Sequence, residues 1–360
     1  DRLIHVHRGF GRWAVGLALF HGVMIATHQI STMGRIRTSV PQLLGTLALA
    51  GFLVIAVTAV YWKRFQMRYE QWHRVHQAGY VLFPLVFAHS ILITPSSESV
   101  TGSTVGQIYW FALFGIFLAA VIYRLARAAA NYRRPYRVTE VEEVTHDTWN
   151  LKFAGRPMRY LPGQFVFIRL EQDGKLASSH PFTLSSSPLS TELSVTPKEI
   201  GDFTGSLGET RSGARVVVDG PYGIFSYLNY PAQKYCFLAG GIGITPFLSM
   251  LRYMRDSGDS RDAVLVWGNK TRADIAYRDE LEAIAAQMPT VRIVHVLSKE
   301  ADWDGPTGYL NAQILQEQVP DLAERELMVC GPPAMVDFLK QELPEAGIPA
   351  KRLRFERFAL

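Results

Sequence analysis

The segments HRGFGRWAVGLALFH (residues 7–21) and HQAGYVLFPLVFAH (residues 76–89) decide how this chain is read. Each opens and closes on a histidine, and the spacings are fourteen and thirteen residues. A helix rises ~1.5 Å per residue, so these spacings cover ~21 Å and ~19.5 Å of axis. Fourteen residues also return to within ~40° of the same helix face, whereas thirteen leave His89 well off the face of His76. Pro84 lies between those two and is the expected site of a kink that restores the alignment.

Both segments sit within unusually apolar sequence. Uncharged runs cover Trp13–Gly34, Thr38–Trp62, Gln77–Ser97 and Ser99–Tyr123, each 21 to 25 residues long, where a membrane-spanning helix needs ~20. No comparable run follows Tyr123. Only 19% of the 360 residues are charged, against ~25% in soluble domains, and the deficit falls in this first third. A cleaved leader is a poor reading of the first run, given four such runs and no small-residue cleavage site after it. The basic residues Arg2, Arg8, Arg12, Lys63, Arg64, Arg68, Arg74, Arg124, Arg127, Arg133, Arg134 and Arg137 fall on one side of the expected spans, and Arg35 and Arg37 on the other. The amino terminus and everything beyond Tyr123 are therefore expected in the cytoplasm. The net charge of +5 is then topological, and nucleic acid is not an expected partner. Cys236 and Cys330 offer neither a disulfide framework nor CxxC spacing.

An imidazole in hydrocarbon marks a functional site. With both histidine-bearing spans entering from the cytoplasm, His7 pairs in depth with His76, and His21 with His89. Two facing neutral imidazoles suit haem iron, whose macrocycle fills the gap between helices. Zinc would want four ligands, usually with thiolates or carboxylates, and none are near. The competing reading is histidines that simply hydrogen-bond between packed helices.

This pattern, with Arg8 beside His7 and Trp72…His76…Tyr80…His89 on the later span, resembles the ferric reductase and NADPH oxidase family. The resemblance implies two stacked b-type haems, an inner one on His7 and His76 and an outer one on His21 and His89. The family core has six helices where four are visible here, and the chain opens at Asp1, so two upstream helices are expected to precede it. The oxidases carry a further histidine four residues beyond the outer ligand of the first helix. Here that position is Ile25.

Beyond the membrane segment, residues 1–130, the chain reads as two modules, 135–230 and 231–360. Short β-patterned runs Phe165–Leu170, Glu192–Thr196 and Ala214–Asp219 are separated by Pro162-Gly163 and Gly220-Pro221, suggesting an antiparallel β-barrel. Within it, His180-Pro181-Phe182-Thr183 offers a ring to stack on a flavin and a hydroxyl and imidazole for its polar edge, although Phe182 is equally a core residue. Gly201-Asp202-x-Thr204 is a turn into a helix start that suits a pyrophosphate or a plain cap. With Gln164 in Pro-Gly-Gln-Phe, the motif order resembles the FAD domain of ferredoxin reductases. FAD is therefore expected on Gln164, His180, Pro181, Phe182, Thr183, Gly201, Asp202 and Thr204, with Phe358 in the aromatic tail over the flavin.

Gly240-Gly241-Ile242-Gly243-Ile244-Thr245-Pro246 follows a strand and opens a helix, where backbone can approach a phosphate closely. It is not GxGxxG. It resembles the nucleotide-binding signature of the same reductases, in which Cys330-Gly331-Pro332 lies by the nicotinamide. Strands Tyr235–Ala239, Ala263–Trp267, Val291–Val296 and Leu327–Cys330 alternate with helices, so a parallel-sheet α/β domain is expected. Lys270 and Arg272 are candidates for the 2′-phosphate of NADPH, or else solvated charges, and NADH remains open. Cys330 is given no redox role.

The expected fold is thus a multidomain membrane protein: a helical transmembrane bundle, a β-barrel FAD domain and an α/β NAD(P) domain. The expected activity moves electrons from cytoplasmic NAD(P)H through FAD and two haems to an acceptor beyond a cell membrane. O2 giving superoxide is the acceptor favoured by short external loops with no chelate-binding cluster. Ferric iron is the alternative, favoured by Ile25. A membrane-anchored flavin reductase serving a cytoplasmic partner protein is the third reading.

Overall fold

The computed structural model describes residues 2–36, 39–62, 64–67, 69–93, 103–172 and 174–357. The chain divides into two compact units, Asp1–Arg127 and Ala128–Leu360.

The first unit is helical: α1 Arg2–Met33, α2 Val40–Tyr61, α3 Tyr69–Gln77, α4 Gly79–Leu92 and α5 Thr104–Arg133. Four spans within them, Val6–Met33, Val40–Tyr61, Gln71–Leu92 and Thr104–Arg133, are long and apolar enough to cross a membrane. Phe10, Trp13, Phe20, Val54, Ile108 and Ile122 point outward. Intrahelical bonding satisfies the backbone, so lipid can meet apolar side chains alone. Helix α2 lies close on α4 because Gly51 faces Leu82: a Cβ there would come within 2.5 Å of Leu82 Cδ2. Small residues substitute in this way for a hydrophobic driving force between membrane helices. Stacked rings, Phe83 with Phe117 at 4.5 Å and Phe87 with Phe114 at 4.3 Å, join α4 to α5.

Two boundaries differ from the sequence reading. The third span begins before Gln77, because α3 carries charged residues on a continuous helical backbone. Regular helical pairing is interrupted at Ala78, and Pro84 sits inside α4. Ala78 N donates to Val75 O and Val81 N to Ala78 O, and these i→i+3 bonds tighten the helix locally. Helix α5 also runs ten residues past Tyr123, through the helix-forming Arg, Leu and Ala of Arg124–Ala130.

The second unit opens with strands β1 Tyr136–Thr145, β2 Thr148–Ala154, β3 Phe165–Gln172, β4 Lys175–Leu176, β5 His180–Thr183, β6 Leu193–Val195 and β7 Arg215–Tyr222, with the single turn α6 Asp202–Gly205. They form one antiparallel sheet in the order β4-β3-β7-β1-β2-β6, with β5 also on β3. The segment that follows β5 approaches β6 through the bridge Leu184–Val195 and the bond from Ser185 N to Ser194 O. Leu151, Phe153, Val166, Ile168, Leu207 and Val216 fill the sheet's core.

A parallel sheet follows: β8 Lys234–Gly240, β9 Asp262–Asn269, β10 Val291–Leu297, β11 Glu326–Gly331 and β12 Leu353–Arg357, in the order β10-β9-β8-β11-β12. Helices α7 Thr245–Ser257 and α8 Arg278–Gln287 cover one face, and α9 Ala312–Gln318 and α10 Pro333–Glu345 the other. Alternation along β8 supplies both cores. Tyr235, Phe237 and Ala239 join Phe247 and Leu281, while Cys236 and Leu238 join Leu315 and Leu339.

Candidate functional site

In the helical unit the four histidines meet as pairs. The ring centroids of His7 and His76 are 5.8 Å apart, and those of His21 and His89 are 6.4 Å apart. One metal bound between two imidazoles, with metal–nitrogen bonds of ~2 Å on each side, sets the centroids ~6 Å apart. Both pairs fit that separation. His89 Nδ1 lies 2.7 Å from Pro41 O. A carbonyl only accepts, so Nδ1 carries the proton and Nε2 keeps the free lone pair a metal needs. His76 Nδ1 is buried without a hydrogen-bond partner, and its ring stacks on Trp72 at 5.4 Å.

In the second unit, β5 pairs with β3, setting His180 opposite Ile168 and Thr183 opposite Phe165. His180 stacks on Phe203 at 4.2 Å, and Phe203 lies 6.0 Å from Phe182. Phe203, the variable position of the Gly-Asp-x-Thr turn, thus ties that turn to the His-Pro-Phe-Thr strand. Pattern reading missed it because x carries no constraint, although an aromatic there was a visible signal. Thr204 Oγ1 accepts from Ile200 N and Gly201 N and donates to Gly201 O, which holds the turn. Gly201 and Asp202 are exposed and Pro181 faces solvent. Gln164 does not aim outward with both amide atoms: Oε1 accepts from Leu161 N at 2.8 Å and Nε2 donates to Gly223 O at 2.8 Å. Beside it Gly163, at φ +96°, leaves no room for a side chain, since a Cβ would lie 2.2 Å from Phe225 O. Phe358 lies outside the described residues.

The glycine loop occupies the point where the parallel sheet changes direction. Strands β8 and β11 are neighbours, and their carboxyl ends carry Gly240 and Gly331. In open α/β sheets a ligand crevice forms at that reversal. Gly243 touches the Cys330 segment so closely that a Cβ would sit 2.2 Å from Cys330 O. Gly240 packs against Met335 and Pro332. Trp267 Nε1 donates to Gly241 O, and Thr245 Oγ1 to Ile242 O. Pro246 is buried in the first turn of α7. Burial pushes the Cys330 thiol well above its ordinary range, and the nearby Glu356 carboxylate adds to this, so it stays protonated. Lys270 is exposed, but Arg272 is engaged: its N–H meets Glu300, its guanidinium donates to Asp302 O at 2.5 Å, and it lies over Trp303.

A buried polar network joins the two sheets. Arg252 of α7 donates to both carboxylate oxygens of Glu280 and to Ser185 O, while Ser249 Oγ donates to Ser186 O at 2.6 Å. Tyr277 stacks under Arg252 and bonds Thr196, and burial pushes its phenol up to about 12. None of these residues belongs to a motif.

Residues 1–87 match the ferric reductase like transmembrane component, 135–226 an FAD-binding domain and 237–341 the oxidoreductase NAD-binding domain. The chain is a ferric reductase-like membrane domain fused to a ferredoxin-reductase-type module. It is similar to the glycine betaine monooxygenase reductase subunit of Chromohalobacter salexigens, 36% identical over 60% of this chain and 62% of that protein. It is also similar to the reductase component of propane 2-monooxygenase from Rhodococcus jostii, 29% identical over 62% of each. The reductase therefore spans less than two thirds of the length of these relatives. The structure of a cytochrome P450 reductase from Amycolatopsis shares the fold, with a TM-score of 0.56 and 24% identity over 62% of this chain and 69% of that one. The chain thus joins an FAD-binding domain and an oxidoreductase NAD-binding domain to a ferric reductase-like membrane domain.

Proposed function

We propose that the reductase carries electrons from NAD(P)H on the cytoplasmic side to a one-electron acceptor on the far side of a cell membrane. The observation that supports this is the meeting of four histidines, far apart in sequence, as two pairs at metal-bridging separation. When bound, FAD turns a hydride donor into a source of single electrons, and b-type haem supplies an iron that takes them one at a time. His7 and His76 would hold an inner haem, and His21 and His89 an outer one. His180, Pro181, Phe182, Thr183, Gly201, Asp202 and Thr204 would bind FAD, with Phe203 bracing them. Gly240, Gly241, Gly243, Thr245, Pro246, Gly331 and Pro332 would line the coenzyme crevice. Gln164 acts by bracing its turn. If each histidine pair holds a haem iron through both imidazoles, the acceptor, O2 or ferric iron, would take electrons without binding that iron.

The relatives support a second reading. Both named proteins are reductase components of monooxygenase systems, which favours delivery to a partner protein over release of superoxide, with the helices as an anchor. Anaerobic reduction of the purified protein by NADH or NADPH separates the two. The transmembrane reading expects flavin bleaching followed by paired Soret and α-band changes that reverse on adding air or a ferric chelate. Flavin bleaching with no haem band would leave the partner-protein reading standing.

A further inference from the structure

The outer histidine pair is built on three helices rather than two. His21 comes from α1 and His89 from α4, but the contacts that fix the His89 ring come from α2. Its Nδ1 meets the Pro41 carbonyl at 2.7 Å. One turn further along α2, Gly45 faces the same ring, and a Cβ on it would fall 2.6 Å from both Cε1 and Nδ1 and 3.0 Å from Nε2. Those distances lie inside van der Waals contact for three of the five ring atoms. The ring cannot swing away without giving up the bond to Pro41.

We propose that Pro41 and Gly45 are positioning residues for the outer metal site, the carbonyl fixing the His89 tautomer and the missing side chain making room for the ring. The inference rests on the haem reading above. The inner pair has no such device among the described residues: His76 Nδ1 is buried without a partner, and its ring is held by stacking on Trp72. A backbone hydrogen bond to the distal nitrogen makes an imidazole a stronger donor to metal. The two sites should therefore respond separately to change in α2.

The test compares Gly45→Ala with Gly51→Ala in the full chain, purified in detergent. Gly51→Ala controls for a loosened α2–α4 contact, since its added Cβ presses on the buried Leu82 side chain and not on the His89 ring. Haem-to-FAD ratio and low-spin EPR are the readouts. Gly45→Ala should lose or shift one of two low-spin signals and leave the other in place, and Gly51→Ala should keep both. Unchanged signals in Gly45→Ala overturn the proposal. If Gly45→Ala does not fold, the wild-type protein still decides: the Nδ1 proton of one ligand should resist exchange into deuterated buffer by ENDOR, and rapid exchange at every ligand overturns it. Wild-type protein without any haem defeats the underlying reading instead.

Discussion

At the residue scale Gly243 is as tightly placed as Gly163, its Cα hydrogen filling the gap to Cys330 O. Gly243→Ala should push the glycine loop off β11, destabilise the protein by ~1–3 kcal/mol and raise KM for NAD(P)H at least tenfold; steady-state kinetics and thermal unfolding check both. Lys270 makes a sharper distinction. If it meets a 2′-phosphate, Lys270→Ala raises KM for NADPH and leaves that for NADH; equal changes contradict that role. Arg272, already bound to Glu300 and Asp302, should contribute less than Lys270. A third test concerns pH. The Arg261 guanidinium beside Asp259 holds that carboxyl down at about 2, against an unfolded value of 3.8. A depressed carboxylate gives stability that is present above the unfolded value and is lost as pH falls from 3.8 towards 2. Asp259→Asn should cost about 1 kcal/mol at neutral pH after solvent screening, and the difference from wild type should fade as pH falls through about 2. Acid-dependent unfolding measures it.

At the scale of elements, the strands and helices that hold the coenzymes were legible because glycine, proline and β-branched runs mark them. Strands β3, β8, β9, β10 and β11 each contain the expected run, and β7 begins one residue after the start of its own. What escaped was geometry without a local signature. Regular pairing in the third span is interrupted at Ala78, where carbonyl pairing tightens, while Pro84 is accommodated within α4. The Arg252–Glu280 interlock was equally invisible, since its residues lie far apart in sequence. Glu280→Gln removes the charge that Arg252 meets and leaves it Ser185 O and Tyr277, so the second unit should lose ~1–2 kcal/mol, seen as a lower melting temperature and faster proteolysis between the two sheets. A change below ~0.5 kcal/mol would show the pair to be incidental.

At the scale of the whole molecule, the membrane domain was readable from charge and length alone: four uncharged runs, with the basic residues gathered in every second connection. The depth pairing of histidines was also readable, because rise per residue is fixed, and the rings do meet as His7 with His76 and His21 with His89. The role of α2 was not, because Gly45 and the Pro41 carbonyl carry no chemical label in sequence. The acceptor is a property of the outer surface, and no motif in the chain names it. The relatives turn attention to partner proteins, whereas the histidine pairs turn it to the far side of the membrane. The decisive quantity is haem per flavin. A pyridine haemochrome assay against released FAD should give about two haems b per flavin in the wild-type protein and about one in His76→Leu. A protein that carries FAD and no haem would contradict the two-haem assignment.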